Sequence, residues 1–170
     1  MTLWHLHESG LARLEAHLVA HPPTLALEVG SGDSTLILVA HVEHLVTLEH
    51  LEFYSAAVRG RLLAEHLTAD VRLCVMAPLD TPEGPFPWYA TDLPDAIDFA
   101  FIDGPPLSIG RQAALFAIWP HLAPGAEVWL DDAHREHERH CLALWAEHLP
   151  IAVEPVDGRL VRITRREGES

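Results

Sequence analysis

The stretch Leu25-Ala-Leu-Glu-Val-Gly-Ser-Gly-Asp-Ser-Thr35 constrains this chain more than any other part of it. Leu25, Leu27 and Val29 alternate with Ala26 and Glu28, the pattern of a short buried strand. Gly30 and Gly32 permit a tight turn whose backbone stays open to a ligand. Asp33, Ser34 or Thr35 then caps the apolar run Leu36-Ile-Leu-Val-Ala40, which reads as a helix. Strand, glycine turn and helix N-terminus, in that order, form a cradle for a nucleotide-like cofactor. Glu28 is the unusual residue. A charge in a buried strand is costly without a partner, and a cationic cofactor would supply one.

The rest of the chain alternates strand and helix around that turn. Leu11, Leu14 and Leu18 predict a leading helix over 9–20 that covers one edge or face of a sheet, and His21-Pro-Pro23 stops it. Leu45-Val-Thr-Leu48 is a second strand, ending in Glu49-His50. Residues 51–66 have helical periodicity, and Val71-Arg-Leu-Cys-Val75 is a third strand. Residues 77–95 break the rhythm with prolines and aromatics. They predict a long loop, either an active-site loop that folds over a ligand or a surface cover for a helix. Ile97 to Ile102 is a fourth strand, ending in Asp103-Gly-Pro-Pro106, and a helix is expected over 108–119. Glu127-Val-Trp-Leu130 is a fifth strand, ending in Asp131-Asp132, and a charged helix is expected over 133–149. Ile151 to Pro155 and Leu160 to Thr164 flank Val156-Asp-Gly158, a hairpin signal, and Arg165 to Ser170 reads as a frayed tail. This order predicts a mostly parallel α/β sheet with helices on both faces and an antiparallel hairpin at its end, as a single domain over 1–170.

Acids outnumber bases 25 to 11, a formal charge of −14. That balance disfavours DNA or RNA as a partner, because phosphate binding needs a basic face. The apolar runs are too short for a membrane span, and Met1-Thr-Leu-Trp-His has no signal-type character. Cys74 and Cys141 make no disulfide framework. The expectation is a cytoplasmic protein with a small-molecule partner, and a homo-oligomer is left open.

Together the motifs resemble class I S-adenosylmethionine-dependent methyltransferases over nearly the whole chain. Glu28-Val-Gly-Ser-Gly-Asp-Ser34 is similar to their first motif, Thr47-Leu-Glu49 to the acidic end of their second strand, and Asp98-Phe-Ala-Phe-Ile-Asp-Gly104 to their fourth-strand motif. Leu122-Ala-Pro-Gly125 is similar to their lead-in to strand five. Gly-Ser-Gly-x-Ser-Thr, Ile-Asp-Gly-Pro-Pro and Leu-Asp-Asp-Ala together resemble a bacterial branch acting on small molecules. Ser34 departs from the pattern, standing where many relatives have a third glycine. The resemblance implies a Rossmann-like seven-stranded sheet of order 3-2-1-4-5-7-6. It also implies methyl transfer from S-adenosylmethionine to a small-molecule acceptor, at oxygen in preference to nitrogen. Two alternatives stand beside it: an NAD-dependent oxidoreductase, which the missing third glycine disfavours, and a non-catalytic S-adenosylmethionine-binding protein.

Under that resemblance the cofactor residues are Glu28, Gly30, Ser31, Gly32, Ser34, Glu49, His50, Ala77, Leu79 and Asp103. Glu28 faces the ammonium group, directly or through water, or is a carboxylate satisfied by nearby backbone. Glu49 accepts from the ribose diol, or is an acid favoured by a helix N-terminus. Ala77 and Leu79 follow the third strand, where the adenine is expected. Asp103, Asp131 and Asp132 converge beyond the fourth and fifth strands and would repel one another without a cation or shared protons. Hard oxygen ligands suit Mg²⁺ or Mn²⁺, and catechol-type relatives place a metal at similar positions. Without a metal, Asp103 or Asp131 acts as base or orients the acceptor, and Asp132 caps the next helix. His134 is a second candidate base. His134, His137 and Cys141 share one helix face, but their charged neighbours predict a solvated face with no zinc. Arg111 either holds a carboxylate of substrate or cofactor or is exposed.

Overall fold

The computed structural model describes residues 8–166; the predicted start at Met1 to His5 and the end of the predicted tail, 167–170, lie outside the described residues. Helix α1 (Glu8–Ala20) leads into strand β1 (Leu25–Val29), the glycine turn and α2 (Asp33–His41). Then come β2 (His44–Glu49), α3 (Glu52–Ala64), β3 (Asp70–Leu73), β4 (Met76–Thr81), β5 (Gly84–Tyr89) and β6 (Ile97–Ile102). Helix α4 (Ala114–Ile118), β7 (Leu122–Leu130), α5 (Glu136–His148), β8 (Ile151–Pro155) and β9 (Val161–Arg165) complete the chain.

Seven strands form one sheet of order β3-β2-β1-β6-β7-β9-β8, parallel except that β9 runs against both of its neighbours. With β4 and β5 left out, this is the predicted 3-2-1-4-5-7-6 order. The order reverses between β1 and β6, the switch point where ligands bind in open α/β sheets. Side chains alternate along the strands, so each strand feeds two cores. Leu27, Val29, Ile102 and Leu130 pack on one face with Trp145 of α5. Ala26, Phe99, Phe101 and Trp129 pack on the other with Leu38 of α2 and with Leu14 and Leu18 of α1. Leu14 and Leu18 are fully buried, worth about 1.5–3 kcal/mol each, and this docks α1 on the sheet face.

Three expectations change. Residues 77–95 are not a loop: β4 and β5 pair as an antiparallel ribbon outside the main sheet. A two-stranded ribbon has two edges, so Pro78, Pro85 and Pro87 cost it no central ladder bond. The helix expected over 108–119 is reduced to α4 and a short 3₁₀ turn, Trp119–His121. Gly110 has φ 91°, left-handed backbone that a helix cannot absorb, and its N–H bonds back to Pro106. The last helix starts at Glu136 rather than 133, with Arg135 as its cap, so Asp132 does not cap it. Among the described residues no helix is long and apolar enough to cross a membrane.

Candidate active site

A cavity of about 550 Å³ opens at the C-terminal ends of β1, β2 and β6, within the roughly 300–1,000 Å³ usual for small-molecule sites. The glycine turn at Gly30, Ser31 and Gly32 forms one wall and Glu49, His50 and Leu51 a second. Tyr54, Val58 and Arg61 of α3 extend it, and Tyr89, Asp103 and the 104–107 turn close the far side.

The wall residues hold one another. Glu49, almost fully buried, accepts at Oε2 from Ser31 N at 3.1 Å and Ser31 Oγ at 2.7 Å. At Oε1 it accepts from His50 N at 2.8 Å and Leu51 N at 2.9 Å. This carboxylate therefore joins the end of β2 to the glycine turn while facing the cavity. His50 Nδ1 lies 3.2 Å from Glu49 Oε1. The turn also touches the 104–107 segment. Gly30 has φ 88°, and a Cβ on Gly104 would lie 2.9 Å from Gly30 Cα and 3.0 Å from the Tyr89 hydroxyl. Only glycine fits this crossing of two backbones.

Glu28 sits elsewhere than expected. It is fully buried and is not among the cavity-lining residues, so it does not face a ligand's ammonium directly. Its partners are side-chain hydroxyls rather than the backbone: Ser34 Oγ at 2.5 Å, Thr35 Oγ1 at 2.7 Å and Thr47 Oγ1 at 2.9 Å. Burial pushes its carboxyl up to about 7 against the lowering effect of those bonds. Ser34, likewise buried and outside the cavity wall, serves Glu28. Glu28 thus fastens the first turn of α2 to the sheet. The cap of α2 is Gly32, whose N–H donates to Thr35 Oγ1 at 3.0 Å, and not the predicted Asp33, Ser34 or Thr35.

Ala77 and Leu79 also lie off the cavity wall. Both belong to β4, and Leu79 packs on the core. The β4–β5 ribbon instead presents Tyr89, whose ring meets His50 edge-on at 6.0 Å between centroids. The Tyr89 hydroxyl has no hydrogen-bond partner among the described residues, and burial raises its pKa so that it keeps its proton. No motif in the sequence singles out Tyr89; the aromatic run Phe86, Trp88, Tyr89 is the signal that points to it.

Beyond β6 and β7, oxygens of Asp103, Asp131 and Asp132 lie within 4.8 Å of one another, a spacing compatible with a hard cation. The surroundings do not fit one. Asp132 pairs with Arg159 at 2.5 Å, Arg135 at 2.6 Å and Arg111 at 3.8 Å. Arg111 Nη2 is 3.3 Å from Asp103 Oδ1, and Arg159 Nη2 is 3.7 Å from Asp131 Oδ2. Asp131 Oδ1 is buried and has no hydrogen-bond partner among the described residues. Arg111, 3% exposed, is neither a surface residue nor free for a ligand carboxylate. It donates to Pro105 O at 3.2 Å, Asp131 O at 3.0 Å and Asp103 O at 2.9 Å, and lies 3.8 Å from Glu138.

Asp103 is the most accessible of the three, 29% exposed at the side chain against 3% and 6% for Asp131 and Asp132. Burial pushes its carboxyl up to about 7, with Arg111 opposing and the other two aspartates adding to the rise. Burial and Asp132 likewise raise Asp131. His134 is exposed and outside the cavity wall, which removes it as a base in this arrangement. The α5 face expected to be solvated is buried at Glu138 and Cys141. His137 Nε2 accepts the Arg111 N–H at 3.3 Å, and burial pushes the Cys141 thiol up to about 12.

Comparison with known proteins agrees with this layout. A family profile described as "Methyltransferase domain" matches residues 27–133. No curated protein matches the sequence. Among solved structures, an O-methyltransferase from Bacillus cereus in complex with SAH is similar at TM-score 0.73 and 16% identity, covering 95% of this chain and 83% of that one. An SAM-dependent O-methyltransferase from Thermotoga maritima gives TM-score 0.71 at 12% identity, over 99% and 69%. A tRNA (m1A58) methyltransferase from Aquifex aeolicus gives 0.66 at 14%, over 99% and 72%. At these identities the likeness is one of fold.

Proposed function

The chain belongs to the methyltransferase-domain family, and from that premise we propose that it transfers the methyl group of S-adenosylmethionine to an oxygen of a small-molecule acceptor. The observation that carries this reading is one cavity at the switch point with Glu49 on one wall and Asp103 on the other. The chemistry of the lining fits the cofactor. Gly30 to Gly32 offer bare backbone for close approach, and Glu49 offers carboxylate oxygens for a ribose diol. The cavity guanidiniums are already engaged, Arg61 with Asp33 at 2.6 Å and Arg135 with Asp132 at 2.6 Å, which leaves a wall suited to a cationic ligand. When bound, S-adenosylmethionine supplies a methyl group made electrophilic by its sulfonium.

The chain's own contribution is alignment and proton handling. Asp103, held at Oδ1 and at its carbonyl by Arg111, orients the acceptor hydroxyl and takes its proton as the oxygen is alkylated. A carboxyl raised to about 7 is matched to that task near neutral pH. Oxygen as the acceptor atom rests on this base and on the O-methyltransferases that share the fold. A small molecule in place of a nucleic acid rests on the −14 charge.

The test is a thermal melt with S-adenosylhomocysteine, followed by radiolabelled methyl transfer across a panel of phenols and alcohols. A ligand selective for the folded state raises Tm. The reading expects that rise, and turnover that Asp103→Asn abolishes. A rise with no transfer to any acceptor would favour a binding protein. No rise would overturn the reading.

A further inference from the structure

The carboxylates of Asp103, Asp131 and Asp132 lie close enough together to hold a cation, yet each already faces a guanidinium. We propose that Arg111, Arg135 and Arg159 are the built-in cations of this site, that they stand where a divalent metal would otherwise bind, and that Arg111 is the positioning residue for Asp103. The two oxygens of Asp132 are divided between them, Oδ1 with Arg159 and Oδ2 with Arg135 and Arg111. Three guanidiniums face the three aspartates and Glu138, which leaves little net charge for a metal to neutralise, and an incoming dication would meet a like charge beside each aspartate.

The arrangement also differs from a metal in what it fixes. A metal at this spacing would grip the three carboxylates. The planar fork of Arg111 grips main chain as well, at Asp103 O, Pro105 O and Asp131 O, so one side chain sets the ends of β6 and β7 against each other. Glu138 faces the fork from behind at 3.8 Å, and His137 Nε2 holds the residue's main chain by accepting the Arg111 backbone N–H. Asp103 inherits its position from that hub.

The inference depends on the methyl-transfer reading only for what Asp103 does, and its test uses metal alone. Mn²⁺ is titrated into the chelator-stripped protein, and the free ion is counted by electron paramagnetic resonance. Wild type is expected to hold no ion, and the Arg135→Gln/Arg159→Gln protein to hold one. Arg159→Gln alone, at a half-exposed position, serves if the double variant does not fold. A wild-type protein that holds one ion, released by Asp132→Asn, would overturn the proposal. Variants that fold and still hold none would overturn it too, since the arginines would not be what keeps the ion out. For Arg111, the melt with S-adenosylhomocysteine gives the second readout. Arg111→Lys keeps the charge but loses the fork, and is expected to shrink the ligand-induced rise in Tm. A full rise in a folded Arg111→Lys protein would show that the fork positions nothing at the site.

Discussion

The two ends of the cavity satisfy their carboxylates by opposite means. Around β1 and β2, Glu28 and Glu49 are held mainly by neutral donors, hydroxyls and backbone N–H groups. Around β6 and β7, Asp103, Asp131 and Asp132 are held by guanidiniums. Neutral donors fix geometry without adding positive charge, which at Glu49 suits a wall meant for a cationic ligand. Guanidiniums cancel the charge, which suits a rigid platform for a base. The chain thus carries an acidic half that waits for its cation and an acidic half that brings its own.

Removing the central cation should separate the halves most sharply. Arg111→Met leaves Asp103, Asp132 and Glu138 facing one another without it. Breaking a buried pair in this way costs about 3–5 kcal/mol, read as a fall in urea unfolding stability. A loss below about 1 kcal/mol, the range of an exposed pair, would break the contrast.

The seam between the halves comes next. Gly104→Ala sets a Cβ 2.9 Å from Gly30 Cα, a backbone atom with nowhere to move. Overpacking of this kind costs about 1–3 kcal/mol, and S-adenosylhomocysteine affinity should fall with it. Unchanged affinity by calorimetry would mean that the crossing does not shape the cavity.

The smallest effect is a pH dependence on the neutral-donor side. Burial raises the Glu28 carboxyl in the fold from 4.5 to about 7, so between those values the folded chain binds more protons than the unfolded one. Its contribution is full below pH 4.5 and is lost as pH rises to about 7. Wild-type stability should therefore decline over that range more steeply than that of Glu28→Gln. Asp103, raised from 3.8 to about 7, acts in the same direction and leaves a residual decline in the variant. Parallel Tm-against-pH curves for the two proteins would contradict the assignment.

Much of this architecture can be read in the chain before any coordinate. The apolar runs, the glycine turn and the strand-end acids mark the seven strands along the chain, because each signal is local, and the family resemblance supplies their order in the sheet. What stays hidden depends on long-range placement. The β4–β5 ribbon reads as a loop because prolines mark breaks in any pattern that expects a central strand. Glu28 reads as a ligand contact because nothing local reveals that Ser34, Thr35 and Thr47 converge on it. Arg111 reads as a ligand contact or a surface residue because charge alone does not report that Gly110 turns the chain and sends it inward. Tyr89 reaches the cavity only through the ribbon, so its role follows that misreading.

The central claim is that the acidic wall around Glu49 receives an S-adenosyl compound. Calorimetric titration of S-adenosylhomocysteine into wild type and Glu49→Gln tests it most directly. The account predicts saturable binding to wild type and a loss of roughly tenfold to a hundredfold in the variant, the worth of hydrogen bonds to a charged acceptor at about 1.5–3 kcal/mol. No binding to wild type, or equal binding to both proteins, would contradict it.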